Sequence, residues 1–453
     1  MLFAILAVRQ AYVQLIAGPS IAAKPFNPRH VLLATRRGRI LASDGTVLAT
    51  TIGGKRDYPF GSALAQTVGY VSTRYGTSGI EDAYDAALTP PDTTGNPAAQ
   101  FAQIIEALGG KTAVARGADV ITTIVPVVEN SLYALLSDHA RAAGVVLDPR
   151  SGAVLALASV PSFDPNQLTA EFQSLAHDPR SPLLNRAIEG LYPPGSTFKM
   201  FTASAALDSG AVTLDSTFYD PGYYTIGNFT LHDNEFEATG SQDLTGAFAL
   251  SSNVDFGQIA LKMGTRTFYE YIDRWGIGKS VDFQLPAARD VVPAERSIFP
   301  GELAQMGFGQ GALLMTPLRM ALLGATIAEG GFEPRPFVVR QVLTQGGGAS
   351  GYGPAALANP ISADTADKVK NMMIAVVQRG TGTPAQLPGV LVAGKTGTAT
   401  NPFGLSHSWF VCFAPANHPR VVVAIIVENA GYGAAVAAPI ARSVLQVALR
   451  QTR

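Results

Sequence analysis

The spacing of hydrophobic positions changes several times along this chain, and each change predicts an element. From Asn27 to Leu48, NPRHVLLATRRGRILASDGTVL, two apolar stretches flank Asp44-Gly45, which reads as a hairpin turn. Short strand-like pieces and glycine-rich turns continue to about residue 120, with a polar loop at Thr89 to Ala99. At Asp119 the texture changes. VITTIVPVVENSLYALLSDHARAAGVVLDP predicts a strand, an amphipathic helix and a second strand ending at Asp148-Pro149. Arg150, Ser151 and Gly152 turn the chain into a further strand, AVLALAS. Beyond it, apolar helices alternate with strands and long loops, and no internal repeat is evident. The pattern separates an apolar stretch at 1–24, a small β-rich region at 25–124 and a large α/β region at 125–453.

The first stretch, MLFAILAVRQAYVQLIAGPSIAA, is interrupted by Arg9 and Gln10. A membrane-spanning helix needs about 20 mostly apolar residues. Met1 to Val8 is too short, and no basic region precedes it as in a signal peptide. The residues alone leave open an amphipathic helix or the outer end of a membrane anchor.

Composition narrows the function classes. The chain has 453 residues, 47% apolar, with a net charge of −1, so a large core is available and nothing argues for nucleic acid. With Cys412 as the one cysteine no intramolecular disulfide can form, and no Cys or His spacing suggests a metal site.

Candidate chemistry begins at LYPPGSTFKMFTA, from Leu191. Pro193, Pro194 and Gly195 are turn residues, and the run from Thr197 to Leu207 predicts a helix with Ser196 at its N-terminus. Residues three apart share a helix face, which brings the Lys199 amine within reach of the Ser196 hydroxyl. A serine at this position is commonly only an N-cap. Met200, Phe201, Ala203, Ala205 and Ala206, however, make the helix apolar over most of its surface, and a buried lysine is costly unless paired or neutralised. Two further segments interrupt apolar patterns: Ser251-Ser252-Asn253 in LTGAFALSSNVDFGQIALKMG, and Lys395-Thr396-Gly397-Thr398 in LVAGKTGTATN. A glycine inside the latter strand suggests close approach of another backbone or a ligand.

Ser-x-x-Lys, Ser-x-Asn and Lys-Thr-Gly each occur once, in that order, as in penicillin-binding proteins and class A β-lactamases. With its flanking segments the sequence resembles a class B penicillin-binding protein, a peptidoglycan D,D-transpeptidase, of the short actinobacterial type. RRGRILASDGTVLA (from Arg36) and Gly79-Ile80-Glu81 are similar to motifs of that family's N-terminal pedestal. GVVLDPRSGAVLALASVPSFDPN (from Gly144), MGFGQGALLMTPLRMA (from Met306) and HSWFVCFAP (from His407) are similar to segments of its transpeptidase domain. The resemblance implies a penicilloyl-serine transferase fold: an antiparallel sheet flanked by helices, behind a β-rich pedestal at 25–124. It turns 1–24 into the remnant of a single N-terminal membrane anchor, truncated here, with the catalytic domain outside the membrane.

The resemblance also implies roles. Ser196 is the nucleophile and Lys199 its base, neutral through burial and the nearby charge of Lys395. Ser251 passes the proton to the leaving amine, and Asn253 holds the donor peptide. Thr396, Gly397 and Thr398 bind the substrate's terminal carboxylate with Lys395, and the backbone N–H groups of Ser196 and Thr398 form the oxyanion hole. The implied partners are D-Ala-D-Ala stem peptides, an acceptor amine, β-lactams, a SEDS-type membrane glycosyltransferase and division proteins. No cofactor or metal is called for. Ser252 stands where class A β-lactamases have Asp, and Cys412 where a small residue is expected. The competing readings are a D,D-carboxypeptidase or class D-like β-lactamase, and a sensor or scaffold that acylates without turnover. Asn253 and the pedestal weigh against a class D enzyme, and the full set of motifs against a dead one.

Overall fold

The structure, a computed structural model, describes residues 37–90, 116–233, 238–344, 347–401 and 404–452. The apolar stretch at 1–24 and all but the first two residues of the loop at Thr89 to Ala99 lie outside these residues. Among the described residues no helix is long and apolar enough to cross a membrane.

Near the start, β1 (Ile40–Leu41) and β2 (Val47–Ile52) pair antiparallel, and β2 continues into β3 (Lys55–Asp57). The turn between β1 and β2 falls at Asp44-Gly45 as the pattern predicts. Gly45 takes φ +87°, and the Asp44 carboxylate accepts the Thr46 N–H at 2.9 Å. On its other side β1 pairs parallel with β4 (Asp119–Thr122). The six-stranded sheet is completed from far along the chain, where Val339–Leu343 pairs with β4 and Ala349–Gly351 follows. The hydrophobic pattern gave no sign that residues past 330 would close the N-terminal sheet, because such pairing leaves no local spacing signature.

The pedestal motifs meet in space. Glu81 is fully buried between Arg37 Nε (2.6 Å) and Arg56 Nε (2.7 Å), and Arg37 also reaches Asp85 at 2.6 Å. A carboxylate this deep requires such partners, which explains why the arginine segment and Gly79-Ile80-Glu81 belong together.

From β4 the chain enters α1 (Pro126–Ser137), whose apolar stripe Val128, Leu132 and Leu136 is buried, then β5 (Ala142–Leu147) and β6 (Val154–Val160). The next segment carries α2 (Lys199–Asp208), α3 (Leu244–Leu250), α4 (Asn253–Met263) and α5 (Pro317–Ala328). The C-terminal part returns to the sheet as β7 (Ala393–Ala399), β8 (His407–Ala414) and β9 (Val421–Val427), and ends in α6 (Ala437–Gln451). These strands form one antiparallel sheet in the order β7-β8-β9-β5-β6. Both faces are covered. Val421, Val423 and Ile425 of β9 join the core under α1 and α6, while Val422, Ala424 and Ile426 face the core that contains α5. This is why all seven residues of β9 are apolar rather than alternating. Cys412 packs in the α6 side of that core, and burial pushes its thiol above the usual range.

Candidate active site

The turn that carries Ser196 is clamped by backbone bonds. Ser196 lies in a 3₁₀ turn, Gly195–Phe198, and the α-helix begins only at Lys199, later than the predicted Thr197. Gly195 (φ +54°) donates to Gly309 O at 2.9 Å, Trp409 Nε1 donates to Pro193 O at 3.1 Å, and Thr197 Oγ1 donates to Pro194 O at 2.5 Å. A Cβ on Gly309 would lie 2.1 Å from Gly195 O, so the Gly309-Gln310-Gly311 segment must be glycine there to buttress the turn. A Cβ on Gly397 would lie 2.9 Å from Thr197 Cγ2 and from Trp409 Cβ. The strand glycine therefore marks the close approach of β7 to the Ser196 turn. Behind it, α2 is anchored by Phe198 and Phe201, stacked at 4.6 Å, with Phe268 and Trp275 against Phe201.

The Ser196 side chain caps no helix end and has no hydrogen-bond partner among the described residues. It opens into a cleft of about 520 Å³ lined also by Asn253, Thr398, Thr400, Gln310 and His232. Directly below lie the two lysines, each fully buried. Lys199 Nζ donates to Ser251 O at 2.5 Å, to Asn253 Oδ1 at 2.9 Å and to Ser251 Oγ at 3.3 Å. Lys395 Nζ donates to the same Ser251 Oγ at 2.8 Å and to Thr396 O at 3.2 Å. Ser251 thus bridges two amines. It can do so because it takes a left-handed conformation, φ +68°, at the end of α3, which points its carbonyl and hydroxyl to one side. The direct Ser196–Lys199 hydrogen bond suggested by the spacing is absent in this state, as Lys199 points to the Ser251–Asn253 turn.

Burial is the first cause of lowered basicity at both amines. It brings Lys199 down to about 7, against the pull of Asp233, Asp255 and Asp220. Lys395 falls well below the usual range through burial and repulsion from Lys199. Two ammonium groups cannot share one hydroxyl at these distances without strong repulsion, so near neutral pH the pair carries fewer than two protons. The sequence reading put the charge of Lys395 and burial together as the causes for Lys199. In the structure burial is what lowers Lys199, the repulsion acts on Lys395 instead, and three carboxyl groups that the sequence reading did not single out pull Lys199 the other way.

The remaining predicted residues are placed unequally. Thr398 lines the cleft, and its Oγ1 accepts from Gly433 N–H at 3.4 Å. Thr396 is buried, and its hydroxyl meets Thr381 Oγ1 at 2.6 Å, a partner with no motif to reveal it. Ser252, the middle residue of the second motif, faces away from the cleft. Its Oγ donates to Asp220 Oδ2 and accepts the Asp255 N–H, both at 2.9 Å, capping α4.

The family model "Penicillin binding protein transpeptidase domain" matches residues 142–446, and "Penicillin binding protein A dimerisation domain" matches residues 37–120. The chain belongs to the penicillin-binding protein transpeptidases. It is 33% identical to the peptidoglycan D,D-transpeptidase PbpA of Mycolicibacterium smegmatis, over 99% of this chain and 97% of that one. It is 30% identical to the peptidoglycan D,D-transpeptidase MrdA of Haemophilus influenzae, over 96% of this chain and 71% of that one. Among solved structures, penicillin-binding protein A from M. tuberculosis, as an imipenem acyl-enzyme complex, superposes with a TM-score of 0.84 at 30% identity, covering 92% of this chain and 100% of that one. A D,D-transpeptidase domain from Eggerthella lenta gives 0.83 at 34% identity, covering 92% and 99%. The protein is thus a serine-type peptidoglycan D,D-transpeptidase, with the mixed α/β fold of that family.

Proposed function

We propose that this transpeptidase cross-links peptidoglycan stem peptides through an acyl-enzyme on Ser196. Ser196 Oγ attacks the carbonyl of the penultimate D-Ala, and its proton passes to a neutral Lys199. The C–N bond to the terminal D-Ala breaks, and Ser251 relays the proton from Lys199 to the departing amine. The amine of a neighbouring stem then attacks the ester, gives up its proton along the same path, and releases Ser196. Backbone N–H groups of Ser196 and Thr398 hold the oxyanion, Asn253 holds the donor peptide, and Lys395 with Thr396, Gly397 and Thr398 holds the terminal carboxylate. β-Lactams acylate the same serine by presenting a strained amide in place of that peptide bond. The observation that supports this assignment best is the single hydroxyl of Ser251 held at 2.8 and 3.3 Å from two buried amines beneath the Ser196 cleft. One lysine can be neutral there while the other keeps a proton, which is what a serine nucleophile requires of its base.

The same reading takes 25–124 as a pedestal and 125–453 as the catalytic domain, with 1–24 as the membrane-proximal segment and the cleft outside the membrane. It places the enzyme in septal wall growth beside a SEDS-type glycosyltransferase and division proteins. The likeness to the peptidoglycan D,D-transpeptidase PbpA supports a part in wall cross-linking, and the septal placement rests on the resemblance to the short actinobacterial type. Depletion should give cells that fail to separate; a defect in cell width alone would move the enzyme to elongation.

Covalent labelling by a fluorescent penicillin tests the chemistry. A stable adduct on the Ser196 peptide, absent in Ser196→Ala, is expected. Release of the label by hydrolysis within seconds would mark a β-lactamase instead, and no labelling of folded protein would leave a scaffold.

A further inference from the structure

Behind the Ser251–Asn253 turn, on the side away from the cleft, three buried carboxyl groups take no part in the proposed acyl transfer. Asp220 ends the strand Thr217–Asp220. It accepts Ser252 Oγ and Thr239 Oγ1, both at 2.9 Å, and the Gly222 N–H at 2.6 Å. Asp233 follows the strand Phe229–His232. Its Oδ1 accepts the backbone N–H of Asn253 and, at 3.3 Å, that of Val254. Asp233 Oδ2 is buried and meets no N–H or hydroxyl group, and Asp233 and Asp220 lie near enough for each to change the other's hold on a proton. Two neighbouring buried carboxyl groups do not readily ionise together. Burial first, then the contact with Asp220, pushes Asp233 up to about 7. Asp220 is held below its usual range because the hydrogen bonds it receives outweigh its burial. The proton therefore rides on Asp233.

We propose that Asp233, sharing a proton with Asp220, is a positioning residue for acyl transfer: it ties the Ser251–Asn253 turn to the wall behind it and so sets where Lys199 donates and how readily it gives up its proton. This rests on the assignment of Lys199 as the base. Both side chains that accept from Lys199, those of Ser251 and Asn253, belong to the tied turn, as does the Ser251 carbonyl. Asp233 bonds that turn through the Asn253 N–H, and Asp220 bonds it through the Ser252 hydroxyl, so releasing either lets the Lys199 acceptors move. The pair also acts by charge. Lys199 is faced by Lys395 from β7, by Asp255 from α4, and by Asp220 and Asp233 from the wall. While Asp233 keeps its proton, Asp220 is the only anion of the pair. When Asp233 ionises, a second negative charge appears beside Lys199 and raises its hold on its own proton. Asp233 in turn is faced by Asp220 and Lys199, and lies next in sequence to His232, a residue that lines the cleft. This arrangement accounts for a serine at the middle of the second motif: Ser252 is the link to Asp220.

The test is the rate of Ser196 acylation by a fluorescent penicillin across about pH 5 to 9, for wild type, Asp233→Asn, Asp233→Ala and Lys199→Ala. The first two profiles are repeated in a His232→Gln background, which takes the neighbouring imidazole out of the comparison. Asn at 233 keeps a donor toward Asp220 and an acceptor for the Asn253 N–H but never ionises. It should acylate at close to the wild-type rate on the alkaline plateau near pH 9, with its acid limb moved to lower pH by up to about one unit. Ala at 233 breaks both links and should slow acylation about tenfold to a hundredfold at every pH while the fold persists. If Asp233→Ala does not fold, the profile of Asp233→Asn decides alone. An unshifted acid limb in Asp233→Asn, with any change confined to melting temperature, overturns the proposal. Wild-type rates in Lys199→Ala would instead overturn the assignment of the base.

Discussion

In the N-terminal region Glu81, on the short helix Gly79–Ala83, is buried between Arg37 and Arg56, with oxygen–nitrogen distances of 2.6 and 2.7 Å, whereas beside the Ser196 cleft two buried lysines meet only neutral oxygens of Ser251, Asn253 and Thr396. The ingredients are alike: ionisable side chains removed from water and enclosed by apolar core. The outcomes differ because of what each charge touches. Arg37 is held above its usual range: burial works against its charge, but Glu81 and Asp85 outweigh that. Lys199 and Lys395 are pushed below theirs by burial, and Lys395 also by repulsion from Lys199, with no carboxylate oxygen bonded to either amine to offset it. Direct pairing keeps charges in place and holds the pedestal motifs together. Burial without direct pairing leaves a proton loosely held, which suits proton transfer. The carboxyl groups behind the Ser251–Asn253 turn pull against Lys199 from a distance, so its basicity settles near neutrality instead of collapsing.

Substitutions in each cluster should therefore fail in different ways. Lys199→Ala is expected to have the largest effect on chemistry, slowing Ser196 acylation by about 10²–10⁴-fold with little change in melting temperature. Acylation kinetics and thermal melting on the same sample check this, and a large loss of stability with normal acylation would erase the contrast between the two clusters. Glu81→Gln should do the reverse. It takes the buried carboxylate from Arg56 and leaves Arg37 to Asp85, and is expected to destabilise by about 3–5 kcal/mol in chemical denaturation, while the folded fraction labels at the wild-type rate.

A third buried charge sharpens the comparison with a smaller effect. Glu129 on α1 is fully buried, and burial pushes its carboxyl up to about 8, although Oε2 accepts the Leu157 N–H of edge strand β6 at 2.8 Å. Here the folded state holds a proton that the unfolded state has already lost. The contribution to stability is fully present below the ordinary value of 4.5 and is lost as pH rises through about 8. Glu129→Gln keeps an acceptor for Leu157 and cannot ionise. Its melting temperature should exceed that of wild type by a few degrees near pH 9 and match it near pH 5. An equal difference at both pH values would show that the carboxyl does not titrate with folding.

Local pattern carried much of this architecture. The hairpin turn at Asp44-Gly45, the strand–helix–strand run into Asp148 and the polar break at Ser251-Ser252-Asn253 lie where spacing and turn residues place them. Pairings between distant segments were not legible. Val339–Leu343 closes the N-terminal sheet, and Thr381 takes the Thr396 hydroxyl, without any period or motif to announce either. In the site, Ser196, Lys199, Ser251, Asn253 and Lys395 stood out because short motifs break apolar runs. Asp220, Asp233 and Asp255 did not: Asp220-Pro221-Gly222 reads as an ordinary turn, Asp233 as a strand end, and Asp255 as a first-turn acid of a helix. What sets these residues apart is where the fold brings them, and their sequence context is that of common surface acids.

The central claim is that a buried lysine of lowered basicity activates Ser196. The most direct test is the pH dependence of wild-type acylation by a fluorescent penicillin, with the adduct mapped to the Ser196 peptide. Neutral Lys199 grows as pH rises, so the rate should climb through about 7 and then level off. A rate that stays flat from acid to alkaline pH, or that climbs only near the range of an ordinary lysine, would contradict the account.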